Sequence, residues 1–145
     1  MTRRHPKRKT RGERFARLPV TVLEHISVAT LSHAEFRVLV ILAAQFNGYN
    51  NGALGLSKTQ AARQNISNKT LYRALHTLET RRLIERTYHS SRVPPRPTMF
   101  ALTWIAVDDT DWSKATRVAA RTFADWKPPT SSAKTTPKRR LHAVR

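Results

Sequence analysis

The chain has 145 residues, of which 27 are Lys or Arg and 9 are Asp or Glu, and its formal net charge is +18. This excess is too large for solubility alone and favours a polyanionic partner, with nucleic acid as the first candidate. The absence of cysteine excludes a disulfide framework, a Cys-based zinc finger, an iron–sulfur centre and a thiol nucleophile, so apolar packing must hold the fold.

The length predicts one domain with tails. Residues 1–17 carry eight basic side chains and one acid, and the last 19 residues carry six basic side chains and no acid. Both ends are poor in apolar residues, so burial cannot offset the entropy of ordering them. We expect a disordered basic arm over 1–14, a folded domain over 15–126 and a disordered basic tail over 127–145. The tails either add phosphate contacts or are simply solvated.

No membrane segment or signal peptide is predicted. The longest apolar run, Val38 to Ala44, has seven residues, whereas a membrane-spanning helix needs about 20. We therefore expect no membrane partner and a location in the bacterial cytoplasm or nucleoid, with a phage or plasmid as an alternative genetic source.

The first strong helix signal is central. Ser32 and Glu35 match a capping box, and the apolar residues behind them predict a buried helix over 33–46. Glycine and asparagine predict a turn over 48–52. A short strand is then expected at Leu54–Leu56.

Two further helices follow in close succession. Ser57 with Gln60 opens a short helix over 58–64, and Ser67 caps a longer helix over 68–81, with a tight turn between them. An apolar stripe runs along the longer helix at helical spacing. It consists of Leu71, Ala74, Leu75 and Leu78. The polar side chains on its other faces are Asn68, Lys69, Tyr72, Arg73, His76, Thr77 and Thr80. Such a pair is typical of a helix-turn-helix, whose second helix fits the major groove of DNA.

A β-hairpin is predicted next. Residues 83–88 and 99–104 have the composition of strands, and the Pro-rich loop between them carries Arg92 and Arg96. The predicted fold is mainly α with a small antiparallel β-hairpin.

Residues 32–104 resemble a winged helix-turn-helix domain of the kind found in bacterial, phage and plasmid regulators and replication proteins. The resemblance covers about half of the chain. It is carried by the first helix, the Leu54–Leu56 strand, the run LSKTQAARQNISNKTLYRALHTLETRRLIERT and a closing strand that ends in ALTW. Many members have glycine where the recognition helix ends, and this chain has Arg82 there. We therefore expect the helix to end without the residue that most easily adopts a left-handed conformation.

The resemblance implies that the second helix faces base edges and that arginines of the hairpin, the wing, enter the minor groove or contact phosphates. The implied DNA-binding residues are Lys58, Asn68, Lys69, Thr70, Tyr72, Arg73, His76, Arg92 and Arg96. Two roles stay open. Tyr72 either stacks on a sugar or covers apolar packing, and Asn68 either pairs with adenine or supports the turn.

No enzyme is predicted. The six histidines show no spacing suited to a metal, and the four glycines form no phosphate-binding loop, so we expect no cofactor, no metal and no evident small-molecule ligand. The acids Asp108, Asp109 and Asp111 precede a predicted helix over 111–126, and we expect them to cap it rather than to bind Mg²⁺.

The segments that flank the core have two interpretations. Residues 15–30 are too apolar for a linker, and the helix over 111–126 has its aromatic side chains on one face. Both segments either pack on their own domain or form a homodimer interface.

Two function classes follow. The first is a sequence-specific binder of double-stranded DNA, either a transcription regulator or an origin-binding replication protein of a mobile element. The second is an interaction protein that uses a winged-helix scaffold to bind and inhibit a nucleoprotein complex. The basic helix face and the arginine-bearing loop favour the first.

Overall fold

The computed structural model describes residues 12–92, 95–110 and 120–130, which form a mainly helical structure with a small antiparallel sheet. The helices are α1 (Val20–Leu23), α2 (Ile26–Ala29), α3 (His33–Gln45), α4 (Lys58–Arg63) and α5 (Asn68–Thr80). The strands are β1 (Ile84–Tyr88), β2 (Ser91–Arg92), β3 (Pro95–Arg96) and β4 (Met99–Leu102), and a 3-10 turn spans Thr122–Asp125. In these ranges no helix has the length and apolar character needed to cross a membrane.

The helices predicted over 33–46, 58–64 and 68–81 are confirmed as α3, α4 and α5, and each ends one residue earlier than predicted. The capping boxes are present as well. The Ser32 hydroxyl accepts from the backbone N–H of Glu35, whose carboxylate accepts from Ser32 N–H. Ser57 and Gln60 repeat this exchange at α4, and Ser67 caps α5. These bonds satisfy N–H groups of the first turn that have no partner inside the helix.

The core lies between α3 and α5. The predicted apolar stripe of α5 is buried along its whole length, and Ala61 of α4 packs into the same cluster. The largest fully buried side chains include Leu39, Leu42, Leu54, Leu71, Leu78, Leu83, Phe100 and Leu102. Burial of one face of α5 leaves its polar face in solvent.

The sheet is smaller than predicted. β1 and β4 pair antiparallel, with Ile84 opposite Leu102, and both strands are shorter than the predicted 83–88 and 99–104. Leu83 belongs to the turn that ends α5, and its N–H bonds to Leu78 instead of a strand. The predicted Leu54–Leu56 strand is reduced to one bridge, in which Leu54 and Phe100 exchange two backbone hydrogen bonds of 3.1 and 2.7 Å.

The predicted loop between the strands contains a second ladder. β2 pairs with β3, so that Ser91 lies opposite Arg96 and Arg92 opposite Pro95. The β1–β4 ladder contains a register shift between Arg86 and Tyr88, and residues 89–90 and 97–98 separate it from this tip. The prediction of a loop missed this pair because proline removes a donor from the strand pattern, although its carbonyl can still accept.

The residue after α5 has a left-handed conformation although it is not glycine. Arg82 itself takes the left-handed conformation, with φ of 59°. Its N–H donates to the Glu79 carbonyl at 2.9 Å, and the next N–H, that of Leu83, donates to the Leu78 carbonyl at 3.0 Å. This pair of bonds is a Schellman motif in which an arginine, and not glycine, takes the left-handed position.

The N-terminal flank packs on its own domain in part. Val22, Ser27 and Val28 are buried. Arg81 secures the segment, since its guanidinium donates to the Ser27 carbonyl at 2.9 Å and to the Thr30 hydroxyl at 2.6 Å. Other apolar side chains of this flank stay exposed. They are Phe15, Val20, Leu23 and Ile26.

The prediction of a C-terminal helix over 111–126 is wrong for residues 120–126, the part of this range that the structure describes. Arg121 has a left-handed φ of 46°, and a 3-10 turn follows it. Phe123 is nevertheless buried, in edge contact with His25 and Trp104. Residues 111–119, including Asp111, lie outside the described residues, as do 1–11 and 131–145 of the two predicted basic tails. The described residues of those tails, 12–14 and 127–130, are exposed.

A buried amide joins the predicted turn to the sheet. Asn51 is fully buried, and its Nδ2 donates to the carbonyls of Leu102, Ile105 and Ala106 at 2.9 to 3.0 Å. Its Oδ1 accepts from Leu102 N–H at 2.7 Å. Its backbone N–H donates to the Asp108 carboxylate at 2.8 Å, so Asp108 binds this loop instead of capping the predicted helix.

We expect Asn51→Ala to lower the free energy of unfolding by about 3 kcal/mol, because it leaves the Leu102 N–H and several carbonyls buried without a partner. Urea denaturation measures this loss. Asn50→Ala is the matched control. It removes hydrogen bonds to Gln45 and Asn47 at a half-buried site and should cost only about 1 kcal/mol. Equal losses in the two variants would contradict the assigned role of Asn51.

Candidate nucleic-acid interface

The outer face of α5 is basic. Lys69, Arg73 and His76 are exposed one turn apart, and Asn68 is exposed at the first position of the helix. None of these side chains has a hydrogen bond or an ion pair with another described residue. The face therefore presents unpaired donors to solvent, as the sequence predicts.

Thr70, also predicted to bind DNA, takes part in the cap of α5. It is half-buried, its N–H donates to the Ser67 hydroxyl, and its own hydroxyl bonds to that hydroxyl at 2.9 Å. These bonds fix the first turn of α5. Thr70 thus belongs to the cap of the helix and orients the residues beside it.

The start of α4 lies against the same face. The Lys58 ammonium is 5.7 Å from the centre of the Tyr72 ring, a cation–π contact. Tyr72 remains 56% exposed, so it neither closes the core nor lies fully free. Two predicted residues from different helices are thereby brought together.

A groove of about 870 Å³ lies between α5 and the hairpin. Its apolar walls include Leu56, Leu75 and Met99, and its polar rim includes the predicted residues Lys58, Tyr72 and His76. Asn68, Lys69, Arg73 and Arg92 lie outside the groove lining. The predicted residues therefore divide into a rim group and an outer group.

An ion pair joins α5 to the hairpin. The Arg86 guanidinium on β1 donates to both carboxylate oxygens of Glu79 on α5, at 3.0 and 2.8 Å, and lies 5.7 Å from the Phe100 ring. The hydrogen bond that Arg86 donates to Glu79 raises the pKa of Arg86, with a smaller contribution from the attraction between the charges. Both residues line the groove. The sequence analysis missed them because a pair seven residues apart across a helix end has no periodic signature.

A third missed residue, Gln45, positions the opposite wall of the groove. Its side-chain amide donates to the Gly55 carbonyl at 2.7 Å and accepts from Gly55 N–H at 3.0 Å. A Cβ at Gly55 would approach the Thr98 carbonyl to 3.1 Å, so glycine allows the two chain segments to lie close. No sequence signal marks Gln45, because its partner is defined only by the tertiary fold.

The hairpin arginines lie at its tip. Arg92 is exposed, and the backbone of Arg96 pairs with Ser91 across the β2–β3 ladder. The side chain of Arg96 lies outside what is described. The two arginines are thus on facing strands, and Arg92 lies outside the groove lining.

The described ranges hold no group of three or more acidic or histidine side chains that could bind a metal ion. Comparison with family models, with curated proteins and with solved structures finds no match to the chain.

We expect the Glu79–Arg86 pair to contribute less than about 1 kcal/mol to stability, because both side chains are partly exposed, 25% and 36%, and water screens their charges. A double-mutant cycle with Glu79→Ala and Arg86→Ala, measured by urea denaturation, gives this coupling energy. A coupling above about 3 kcal/mol would indicate a dry pair and would contradict the assignment.

Proposed function

We propose that this chain binds double-stranded DNA with sequence specificity through a winged helix-turn-helix domain. In this proposal α4 and α5 are the helix-turn-helix, α5 is the recognition helix, and the hairpin from β1 to β4 is the wing. The observation that carries it is the row of exposed, unpaired donors Lys69, Arg73 and His76 on a helix whose other face is buried.

The dimensions of α5 suit this role. Its 13 residues span about 20 Å, and an α-helix fits the major groove, which is roughly 12 Å wide. Arginine and lysine contact guanine O6 and N7 there, and Asn68 carries the amide that pairs with adenine. The cap formed by Ser67 and Thr70 fixes the end of α5 that would enter the groove.

The position of the hairpin supports a second contact. Glu79 and Arg86 hold β1 beside α5, and the hairpin extends beyond the groove to Arg92. Arginines on such a wing can enter a minor groove next to the major groove that the helix occupies. Lys58 on the rim would add a phosphate contact.

The biological role that we propose is that of a transcription regulator or an origin-binding replication protein of a mobile element. The net charge of +18 fits such a role, because basic side chains release counterions from DNA on binding. A homodimer through 15–30 and 111–126 stays a prediction, supported by the exposure of Phe15 and Val20 at 71% and 64%.

The second candidate is a protein partner. The groove between α5 and the hairpin has apolar walls with Tyr72 and Met99, the kind of surface that binds proteins. An interaction protein of this kind would bind and inhibit a nucleoprotein complex. The variants described next separate it from the first candidate.

We expect Arg73→Ala to weaken binding to a preferred DNA site by about 1–3 kcal/mol and to relax selectivity at one base pair. Fluorescence anisotropy on the selected site and on its single-base variants measures both effects. Arg37→Ala, on α3, is the control that removes the same charge from another face. If Arg73→Ala weakens binding equally on specific and random DNA, Arg73 contacts only phosphate.

We expect Arg92→Ala with Arg96→Ala to weaken DNA binding by about 1 kcal/mol or more, most strongly at sites with A·T-rich minor grooves, where the negative potential is concentrated. The same anisotropy assay on A·T-rich and G·C-rich flanks measures this difference. Two results together would favour the protein partner. The double variant would bind DNA as tightly as the parent, and the parent itself would bind every duplex more weakly than micromolar at physiological salt.

A further inference from the structure

Two arginines lie side by side at the carboxyl-terminal end of α5, away from the face proposed for DNA. Arg82 follows the helix, and Arg121 precedes the 3-10 turn. Thr103 joins their backbones, because its hydroxyl donates to the Arg82 carbonyl at 2.9 Å and its carbonyl accepts from Arg121 N–H at 2.8 Å. The Thr122 hydroxyl donates to the same Arg82 carbonyl at 3.2 Å. Arg82, Arg121 and Thr122 therefore lie together on the surface, above the buried Thr103.

Both arginines have a backbone conformation that favours glycine. Their φ values are 59° and 46°, in the left-handed region that is unfavourable for a residue with a Cβ atom. Glycine would relieve this strain without losing the backbone hydrogen bonds that link Arg82, Thr103 and Arg121. Strained positions of this kind tend to occur where a side chain has a function.

The surface carries uncompensated positive charge. Arg82 and Arg121 are exposed, and neither forms an ion pair with another described residue, including Asp125 in the adjacent turn. Arg81 lies beside them and directs its guanidinium to backbone carbonyls and to the Trp126 ring at 4.8 Å, none of which removes its charge. The α5 dipole favours a cation here, and the Schellman motif accounts for the left-handed backbone of Arg82 but not for that of Arg121.

We propose that Arg82 and Arg121 form a second phosphate-binding surface that holds a second DNA duplex, so that the protein bridges two duplexes. This inference rests on the proposed function, in which the first duplex contacts the outer face of α5 from Asn68 to His76. Because α5 is about 20 Å long, its two ends present separate surfaces. A bridge then needs no additional domain.

The chemistry of the surface favours a DNA backbone over other polyanions. The exposed large apolar side chains of the described residues lie elsewhere, on the N-terminal flank, α3, the 47–50 turn and the outer face of α5. A protein interface usually has an apolar centre, and sequence-specific RNA binding relies on aromatic stacking. The Trp126 ring beside Arg81 is half-buried and contacts that guanidinium at 4.8 Å. The exposed guanidinium groups of Arg82 and Arg121 suit phosphate contacts.

A bridging assay tests the proposal with the full chain. One DNA duplex is immobilised and saturated with protein, and the capture of a second, labelled duplex of unrelated sequence is measured. We expect Arg82→Ala with Arg121→Ala to lower this capture by about tenfold, while binding to the immobilised duplex changes by less than about twofold. The pair Arg17→Ala with Arg37→Ala removes the same charge elsewhere and should capture like the parent.

A second pair of variants separates loss of the surface from misfolding. Arg82→Gly with Arg121→Gly relieves the backbone strain, so the midpoint of thermal unfolding should rise while capture falls as in the alanine pair. Parental capture by the alanine pair, equal loss in the control pair, or capture of an RNA duplex but not of DNA would overturn the proposal. Binding to one duplex without capture of a second would overturn this inference alone. Absence of any duplex binding would overturn the proposed function as well.

Discussion

The position of the hairpin depends on one buried amide. Asn51 binds Leu102 at the end of β4 and the carbonyls of Ile105 and Ala106 beyond it, and its backbone N–H binds Asp108. The same loop leads directly into Leu54, whose bridge to Phe100 adds a third chain segment to the sheet. The sheet itself is too small to hold its place by strand pairing alone. Asn51 therefore connects the α3–α5 core to the β1–β4 sheet, and the geometry of the groove follows from that connection.

Local patterns predicted the helical part of the fold. Ser32, Ser57 and Ser67 marked the helix starts, because a cap depends only on residues three positions apart, and the stripe from Leu71 to Leu78 identified the buried face of α5. The exposed donors of that helix followed from the same periodicity. The general position of the site, an outer helix face beside a hairpin, was thus accessible from the sequence, although its use in DNA binding stays a proposal.

Features that depend on long-range contacts were not predicted. Asn51 looked like an ordinary turn residue, and Glu79 and Arg86 carried no signal of their mutual contact. The left-handed backbone of Arg82 contradicted the local preference for glycine, because tertiary hydrogen bonds from Thr103 and Thr122 hold its carbonyl. The prediction of a helix over 111–126 was wrong for residues 120–126, where Phe123 packs into the core from a 3-10 turn instead of from a helix face.

The most direct test of the central claim is selection of bound duplexes from a random DNA pool with the full chain. The account predicts enrichment of a common base pattern, bound at least about 10³-fold more tightly than random DNA at physiological salt. A pattern with two-fold symmetry would in addition support the predicted homodimer. A selected pool without a shared pattern, bound no more tightly than random duplexes, would contradict sequence-specific recognition by α5.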